Sequence, residues 1–346
     1  MPPAPVAQSR KRAHSRPMMR AVEIRADHTA AIIETAVPAL GTGEVLVKPC
    51  ACGICGTDLH ILRHGFPGTR YPVIPGHEFA GHVVAVASGV KGVREGDFVA
   101  VDPNVVCGSC RWCRIGRPNL CVALTPIGVG RSGAAAEYVA VPMTNAFTVS
   151  EALGGDLAAL IEPLACALHA VDTAQGIRDR SVLIFGGGTM GLLIALVARL
   201  KGAGDITIVD PAAGKRQIAQ ACGFDRAITS EGLGSERFDA VFEAAGVRAA
   251  LEQAVDRVEK TGILVQVGVH DEEATVPFNP FRIYEREIRI IGSNSCADKF
   301  PEAVDVMSDI ADNARHLIGP SYAVWDFDAA IRGMAAGTAV KTQLRF

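Results

Sequence analysis

Two patterns of hydrophobic and polar positions divide the chain. From Ala21 to about Val149, short runs rich in β-branched residues, such as EVLVKPC, AGHVVAV and AEYVAV, are separated by Gly and Pro. This spacing predicts an antiparallel, barrel-like β domain. From Ser181 onwards, apolar strands such as SVLIF and ITIVD alternate with helical stretches such as MGLLIALVARLKG, which predicts a doubly wound parallel sheet. The strand pattern returns near 290, so we expect the C-terminus to complete the first domain.

Composition narrows the class of protein. The 346 residues are 49% hydrophobic and 21% charged, with a formal net charge of −3, so neither nucleic acid nor a membrane surface is expected as a partner. Residues 1–20 are the exception, because they contain basic residues, several prolines and no acid. We interpret 1–18 as a disordered tail in preference to a transit peptide or a nucleic-acid-binding arm. The sequence contains no uninterrupted stretch of about 18 apolar residues, so no transmembrane helix is predicted, and we expect a cytoplasmic protein.

Four of the ten cysteines have the spacing of a metal site, namely Cys107, Cys110, Cys113 and Cys121. Four thiolates at these intervals can enclose one tetrahedral Zn²⁺ with no open position, which is typical of a structural site. Iron–sulfur clusters also use thiolates without histidine, but the arginines of the lobe 107–121 can offset the charge of four thiolates around zinc. Zinc is therefore the preferred interpretation, and a disulfide framework is not expected without a signal peptide.

The sequence FGGGTMG predicts a dinucleotide site. It follows the strand SVLIF and opens an apolar helix, which is the context this glycine pattern requires. Gly186 would make the tight turn, Gly188 would let the backbone approach the pyrophosphate, and Gly191 would let helix and strand pack closely. The pyrophosphate would lie at the N-terminus of the helix, where free N–H groups favour an anion.

Asp210 indicates which nucleotide binds. It ends the next strand, about 20 residues beyond the glycines, where a carboxylate accepts hydrogen bonds from the adenosine ribose hydroxyls. The same charge repels a 2′-phosphate, so NAD is favoured over NADP. Lys215 and Arg216 follow closely and could soften that preference.

A third set of polar residues has ordinary explanations when each is taken alone. His77 in PGHEFAG could be a hydrogen-bonded turn residue, and Cys55 in CGICGTDLH a small buried apolar residue. Glu162 precedes Pro163, so it could simply mark a helix boundary. Only their joint occurrence suggests a catalytic metal site.

Together these motifs resemble the zinc-dependent medium-chain dehydrogenase/reductase family, part of the alcohol dehydrogenase superfamily. CGTD, GHE, the four-cysteine lobe and GGGTMG occur in the order of that family, and the resemblance covers Met19 to Phe346. Glu162-Pro163-Leu164 is similar to the sorbitol, threonine and arabinitol dehydrogenase branch. The resemblance implies a two-domain α/β fold, with a GroES-like catalytic domain over 19–163 and 292–346 and a Rossmann domain over 164–291.

The resemblance also implies a catalytic zinc ion with Cys55 and His77 as ligands. Glu78 and Glu162 would be the two carboxylates that exchange at the metal, because a catalytic zinc site keeps one position open. Asp58 would orient His77. Cys50 and Cys52 are interpreted as packing residues, with a role as alternative ligands left open.

The proton and nucleotide sites follow from the same resemblance. Thr57 would bond to the alcohol oxygen and His60 would act as an outer proton shuttle, while a relay through water at Glu162 is an equal alternative. Thr189 stands where the family usually has proline and adds a hydroxyl near the phosphates. The predicted cofactor-binding residues are Gly186, Gly188, Thr189, Met190, Gly191, Asp210, Val267 and Val269.

The implied function is a dehydrogenase with two zinc ions per chain that oxidises a secondary alcohol of a polyol or sugar to the ketone. Hydride would pass to NAD, and zinc would lower the pKa of the substrate hydroxyl. Threonine or a simple secondary alcohol is the alternative substrate, and a non-catalytic nucleotide-binding protein is the alternative of another class. The resemblance implies a homotetramer or homodimer.

Overall fold

The computed structural model describes residues 17–337 and 340–346. Most of the predicted tail 1–18 therefore lies outside the described residues, and Met18 begins the first strand. The strands are β1 (Met18–Ile24), β2 (Ala30–Ala36), β3 (Glu44–Gly53), β4 (Glu78–Val86), β5 (Phe98–Val101), β6 (Val139–Pro142), β7 (Ala146–Thr148), β8 (Val182–Phe185), β9 (Ile206–Val209), β10 (Ala227–Ile228), β11 (Phe238–Glu243), β12 (Val258–Gln266), β13 (Arg289–Gly292), β14 (Ile318–Ala323) and β15 (Lys341–Arg345). The α-helices are α1 (Gly56–Arg63), α2 (Arg111–Arg114), α3 (Gly154–Ala159), α4 (Ile161–Thr173), α5 (Thr189–Leu200), α6 (Ala213–Ala221), α7 (Arg248–Asp256), α8 (Pro280–Arg286), α9 (Phe300–Ala314) and α10 (Phe327–Ala335). Short 3-10 helices occupy Pro118–Leu120, Met143–Asn145, Glu151–Leu153, Ser230–Leu233, Arg315–Leu317 and Val324–Asp326.

The β-rich part is built on a seven-stranded sheet in the order β14-β15-β3-β4-β5-β7, with β6 paired to β3. Its neighbouring strands are antiparallel except β14 and β15, which run parallel. β1 and β2 form a separate antiparallel pair. β14 and β15 come from the end of the chain, and β15 pairs with β3, so C-terminal strands extend this sheet.

The second sheet has six strands in the order β10-β9-β8-β11-β12-β13, and every neighbouring pair is parallel. Apolar runs form these strands because helices cover both faces of a parallel sheet; all four residues of β8 are buried. The order in which strands are added to the sheet reverses between β8 and β11. In sheets of this kind, nucleotides bind at such a point, beside the carboxyl ends of the strands. The predicted two-domain α/β fold is therefore confirmed.

Helix α4 joins the two parts. It packs against α5 and α9, and nearly its whole length is buried. Leu164 of α4 belongs to one apolar core with Phe98 of the β-rich part and Ile184 of the parallel sheet. The polar residue Glu162 is thereby fixed between the two sheets. Within the described residues no single helix is long and apolar enough to cross a membrane. The segments Glu151–Ala159 and Ile161–Thr173 reach that length and apolar composition only when taken together, and they are bent by 66° relative to each other.

Candidate active site

The register between β3 and β4 brings three predicted ligands together. Gly53 at the end of β3 pairs with Glu78 at the start of β4, so Cys55 and His77 flank this pair on the two chain segments. Ligand atoms of Cys55, His77 and Glu78 all lie within 4.8 Å of one another. His77 and Glu78 are buried, at 7% and 2% exposure. Gly53 is required because a Cβ atom there would lie 2.1 Å from Glu78 Oε2.

Asp58 faces the imidazole of His77. Its Oδ2 accepts a hydrogen bond from the backbone N–H of Cys55 at 2.9 Å, and its Oδ1 lies 3.6 Å from His77 Nδ1. Burial lowers the pKa of His77, but Asp58 and Cys55 outweigh burial and raise that pKa well above 6.5. For the carboxyl group of Asp58, burial has the opposite effect and raises the pKa. With Nδ1 turned towards Asp58, Nε2 is left as the nitrogen for a metal ion.

Lys341 is a site residue that the sequence reasoning missed. Its ammonium group forms an ion pair with Glu78 Oε2 and donates a hydrogen bond to the carbonyl of Ile54 at 3.2 Å. Lys341 is only 3% exposed. Burial lowers its pKa, but Glu78 outweighs that effect and raises it, so the ammonium group stays charged. The mainly polar sequence of β15, KTQLR, does not distinguish this lysine, because its partner is 263 positions away.

Glu162 lies at the start of α4 in a separate group with Cys166 and Cys296. Its Oε1 accepts from Cys296 Sγ at 3.3 Å and from Cys166 Sγ at 3.6 Å. Burial and then the charge of Glu78 raise the pKa of Glu162 to about 7. The structure thus does not bring all four predicted ligands into one group. The spacing of four between Glu162 and Cys166 was the available signal for the first thiol, whereas Cys296 is 134 positions distant.

The group of Cys55, His77 and Glu78 fits a zinc ion. A thiolate, an imidazole nitrogen and a carboxylate oxygen are zinc ligands, and three protein ligands leave a fourth position open, as catalysis requires. Within the described residues, neither the buried Asp58 Oδ1 nor the buried His77 Nδ1 has a hydrogen-bond partner. A carboxylate placed behind an imidazole in this way orients a metal-binding histidine.

Thr57 and His60, the predicted relay residues, both lie on α1 but in different surroundings. Thr57 Oγ1 is 3.9 Å from Cys55 Sγ, next to the candidate ligands. His60 Nδ1 is 2.9 Å from His64 Nε2 one turn further along the helix. Burial, and then the neighbouring His64, lower the pKa of His60. His60 is therefore neutral at pH 7.

The four sulfur atoms of the cysteine lobe 107–121 lie within 4.8 Å of one another. Cys110 Sγ is 3.6 Å from Cys113 Sγ, and Cys121 Sγ is 3.5 Å from Cys107 Sγ. These separations are close to the edge of about 3.8 Å of a tetrahedron with metal–sulfur bonds of about 2.3 Å. Backbone N–H groups of Cys107 and Cys110 donate to the sulfurs of Cys121 and Cys107, each at 3.3 Å. Hydrogen bonds from the backbone N–H groups of Ser109 and then Cys110 lower the pKa of the Cys107 thiol to about 6.

Each glycine of the fingerprint has a distinct environment. Gly186 has φ +104°, a conformation that favours glycine, and it turns the chain after β8. A Cβ atom at Gly191 would lie 1.8 Å from the carbonyl oxygen of Gly186, so only glycine permits this packing. At Gly188 nothing lies within 4 Å of a Cβ position, which leaves the backbone open at the start of α5.

Thr189 and Met190 begin α5 with different contacts. The hydroxyl of Thr189 donates to the carbonyl of Val340 at 2.8 Å. The predicted hydroxyl near the phosphates is therefore engaged with the C-terminal segment. Met190 is partly buried against the large apolar core.

Asp210 follows β9 and is bound to the glycine turn. Its Oδ2 accepts from the N–H of Gly187 and its Oδ1 from the N–H of Ala212, both at 2.8 Å. Lys215 Nζ lies 3.8 Å from Asp210 Oδ2. Arg216 instead donates to the carbonyl of Asp210 at 2.8 Å, so its guanidinium is turned to the backbone.

Val267 and Val269 follow β12 at the same edge of the parallel sheet. Val267 N–H donates to the carbonyl of Glu243 at 2.8 Å, and Val269 is 52% exposed. The carboxylate of Glu243 is fully buried and lies 3.1 Å from His270 Nε2. The sequence reasoning missed this pair, which holds the ends of β11 and β12 together.

Cys50 and Cys52 occupy packing positions. Cys50 Sγ donates to the carbonyl of Ala80 at 3.4 Å. Cys52 is fully buried, and burial raises its pKa well above 9.0. A Cβ atom at Gly76 would lie 2.8 Å from Cys52 Sγ, so this thiol fills the space beneath the turn that carries His77.

Comparisons with known proteins agree with this architecture. The alcohol dehydrogenase GroES-like domain family matches residues 41–151, and the zinc-binding dehydrogenase family matches residues 189–309. The chain is 35% identical over 296 residues to D-altritol 5-dehydrogenase of Agrobacterium fabrum, covering 84% of this chain and 88% of that protein. It is 35% identical over 289 residues to L-threonine 3-dehydrogenase of Pyrococcus horikoshii, covering 78% of this chain and 81% of that protein.

Two solved structures share the whole fold. A zinc-binding dehydrogenase of Sinorhizobium meliloti 1021, bound to NADP, superposes with a TM-score of 0.90 at 34% identity and covers 96% of this chain and 100% of its own. The alcohol dehydrogenase RspB of Escherichia coli CFT073, complexed with NADH, superposes with a TM-score of 0.88 at 30% identity and covers 95% of this chain and 99% of its own. The chain belongs to the zinc-dependent medium-chain dehydrogenase/reductase family.

Proposed function

We propose that the chain is a zinc-dependent, NAD-linked dehydrogenase that oxidises a secondary alcohol of a polyol or sugar to the ketone. One observation carries the proposal. Thr189, at the start of the nucleotide helix, hydrogen-bonds to Val340, and the next residue, Lys341, forms the ion pair with Glu78. The candidate metal ligands and the dinucleotide fingerprint thus contact two consecutive residues of one segment, which supports a site where substrate and nucleotide lie close enough for direct hydride transfer.

The proposed mechanism assigns each task to a side chain. Cys55 and His77 would hold the metal, with Glu78 or Glu162 as the carboxylate ligand, and Asp58 keeps the imidazole in one orientation. When bound, zinc supplies Lewis-acid chemistry that lowers the pKa of an alcohol.

Two routes for the departing proton are supported by the geometry. Thr57 lies beside Cys55, and His60 follows on the same helix with a neutral ring that can accept a proton. Glu162 is the other acceptor, because burial raises its pKa to about 7. A Thr57→Val variant tests the first route. Loss of kcat with unchanged zinc content supports it, and unchanged kcat assigns the proton to Glu162.

The substrate proposal rests on the relatives, among which a polyol dehydrogenase and a threonine dehydrogenase are equally identical to this chain. We place the polyol first because the altritol enzyme is matched over 84% of the chain against 78% for the threonine enzyme. A panel of pentitols, hexitols, threonine and simple secondary alcohols, followed by NADH formation, separates them. Absence of activity with any polyol, together with activity on threonine, would reverse the order.

The preference for NAD is proposed from Asp210, whose carboxylate is fixed at the end of β9 by the two backbone N–H groups. Lys215, 3.8 Å away, supports NADP as the second candidate. The ratio of kcat/KM for the two nucleotides decides between them. An Asp210→Ser variant should shift this ratio towards NADP, and a ratio that does not change would remove Asp210 from the assignment.

The remaining proposals concern organisation. The predicted limits are 19–163 with 292–346, and 164–291. The family match at 41–151 lies within the first, whereas the match at 189–309 continues past the predicted boundary at 291. A homodimer or homotetramer is supported by the edge strand β13 and by Phe281 and Tyr284, which are 60% and 79% exposed. Light scattering tests this proposal. A cytoplasmic location is supported by the ten free cysteines, because thiols stay reduced in that compartment, and fractionation tests it.

A further inference from the structure

A further cluster of metal-ligating side chains contains none of the candidate zinc ligands, although it shares His60 with the proposed proton relay. His60 and His64 are four residues apart on α1 and its C-terminal cap, so both imidazoles lie on one face of the helix. His60 Nδ1 is 2.9 Å from His64 Nε2, and His64 Nε2 is 3.9 Å from Asp271 Oδ1. The candidate ligand atoms of all three residues lie within 4.8 Å of one another.

This cluster joins the two parts of the molecule. α1 follows Cys55 and belongs to the β-rich part, whereas Asp271 lies five positions after Gln266, the last residue of β12 in the parallel sheet. Asp271 is also two positions beyond Val269, a predicted nucleotide contact. The three side chains therefore bridge between the helix next to the candidate zinc ligands and the nucleotide edge of the sheet.

The donor set selects the kind of ion. Two imidazole nitrogens and one carboxylate oxygen suit borderline divalent ions such as Zn²⁺, Ni²⁺ and Cu²⁺, and histidines at positions i and i+4 of a helix bind such ions together. The site has no thiolate, so its affinity should be lower than that of the cysteine sites. The side chains of His64 and Asp271 are 54% and 77% exposed, which gives an ion direct entry from solvent.

We propose that His60, His64 and Asp271 form a third, exchangeable site for a borderline divalent transition-metal ion. An ion bound there replaces the contact between the two imidazoles with bonds to all three side chains, and it ties α1 to the segment after β12. Movement of that segment away from α1 is then restrained, which slows release of the nucleotide. The binding site stands independently, whereas this kinetic effect rests on the proposed function.

Calorimetric titration of the zinc-loaded protein with Ni²⁺ tests the site. The zinc content is measured before and after, so that exchange at the cysteine sites is counted separately. We expect one Ni²⁺ per chain, and we expect His64→Ala and Asp271→Asn to weaken its binding roughly tenfold or more. His82→Ala is the matched control, because His82 is also exposed beside a carboxylate, 3.5 Å from Glu151, and should bind Ni²⁺ as the wild type does.

Failure of the wild type to bind Ni²⁺, or equal binding by His64→Ala, would overturn the site. The kinetic arm follows NADH dissociation by stopped-flow fluorescence, with and without Ni²⁺. Slower dissociation in the wild type but not in His64→Ala supports the tether, and an unchanged rate in saturated wild-type protein refutes it. Neither binding result depends on turnover, so a failure of the proposed dehydrogenase function is distinguishable from a failure of the metal site.

Discussion

Replacing Lys341 by methionine should strongly destabilise the zinc-depleted protein, because it removes the ion-pair partner of the buried Glu78 carboxylate. The pair is nearly inaccessible, with Lys341 at 3% and Glu78 at 2% exposure, so water cannot replace the lost partner. Breaking a buried pair from one side costs about 3–5 kcal/mol, whereas an exposed pair contributes about 0–1 kcal/mol. We therefore expect Lys341→Met to lower the free energy of unfolding by about 3–5 kcal/mol.

The assay is urea denaturation of four zinc-depleted proteins: wild type, Lys341→Met, Glu78→Gln and the double variant. The double variant should lose less than the sum of the two single variants, because it leaves no unpaired charge. Arg94→Met is the control, since Arg94 forms an exposed pair with Asp97 at 3.3 Å and its side chain is 89% exposed. A Lys341→Met cost no larger than that of Arg94→Met, or strictly additive losses, would refute the reasoning.

Three further predictions concern the nucleotide and metal sites. Gly191→Ala should cost about 1–3 kcal/mol of stability because its Cβ meets the Gly186 carbonyl, while Gly188→Ala should keep its stability in thermal melts and weaken only NADH binding. Cys110→Ser should lose one zinc equivalent in elemental analysis, and retention of two would contradict the lobe as a zinc site. Because burial raises the folded-state pKa of Glu162 to about 7 from 4.5, its contribution to stability is present below about pH 4.5 and is lost as pH rises through about 7. Urea titrations of zinc-depleted protein should show the wild type losing stability relative to Glu162→Gln over that interval, and a constant difference would contradict the raised pKa.

Features encoded by neighbouring residues could be predicted from the sequence. The four-cysteine lobe spans 107–121, and the glycine fingerprint spans 186–191, so each motif carries its own geometry. The strand and helix patterns likewise predicted the parallel sheet, because strands covered on both faces must be apolar. These parts of the fold needed no knowledge of long-range contacts.

Contacts between distant segments could not be predicted in this way. Lys341 pairs with Glu78 across 263 positions, and its mainly polar strand KTQLR gives no reason to expect a buried charge. Cys296 meets Glu162 across 134 positions in a segment after β13 that has no recognisable metal-binding spacing. Both contacts arise only when the C-terminal segments return to the two sheets, so the partners of the carboxylates are a property of the tertiary fold.

The most direct test of the central claim is the rate of NAD reduction by a Cys55→Ala variant, measured across the polyol panel with the wild type alongside. Cys55 offers its sulfur within 4.8 Å of the ligand atoms of His77 and Glu78. We predict that the wild type reduces NAD with a polyol, and that Cys55→Ala loses this activity while it retains the native circular dichroism spectrum. A folded Cys55→Ala variant with the full wild-type rate would contradict the catalytic zinc site.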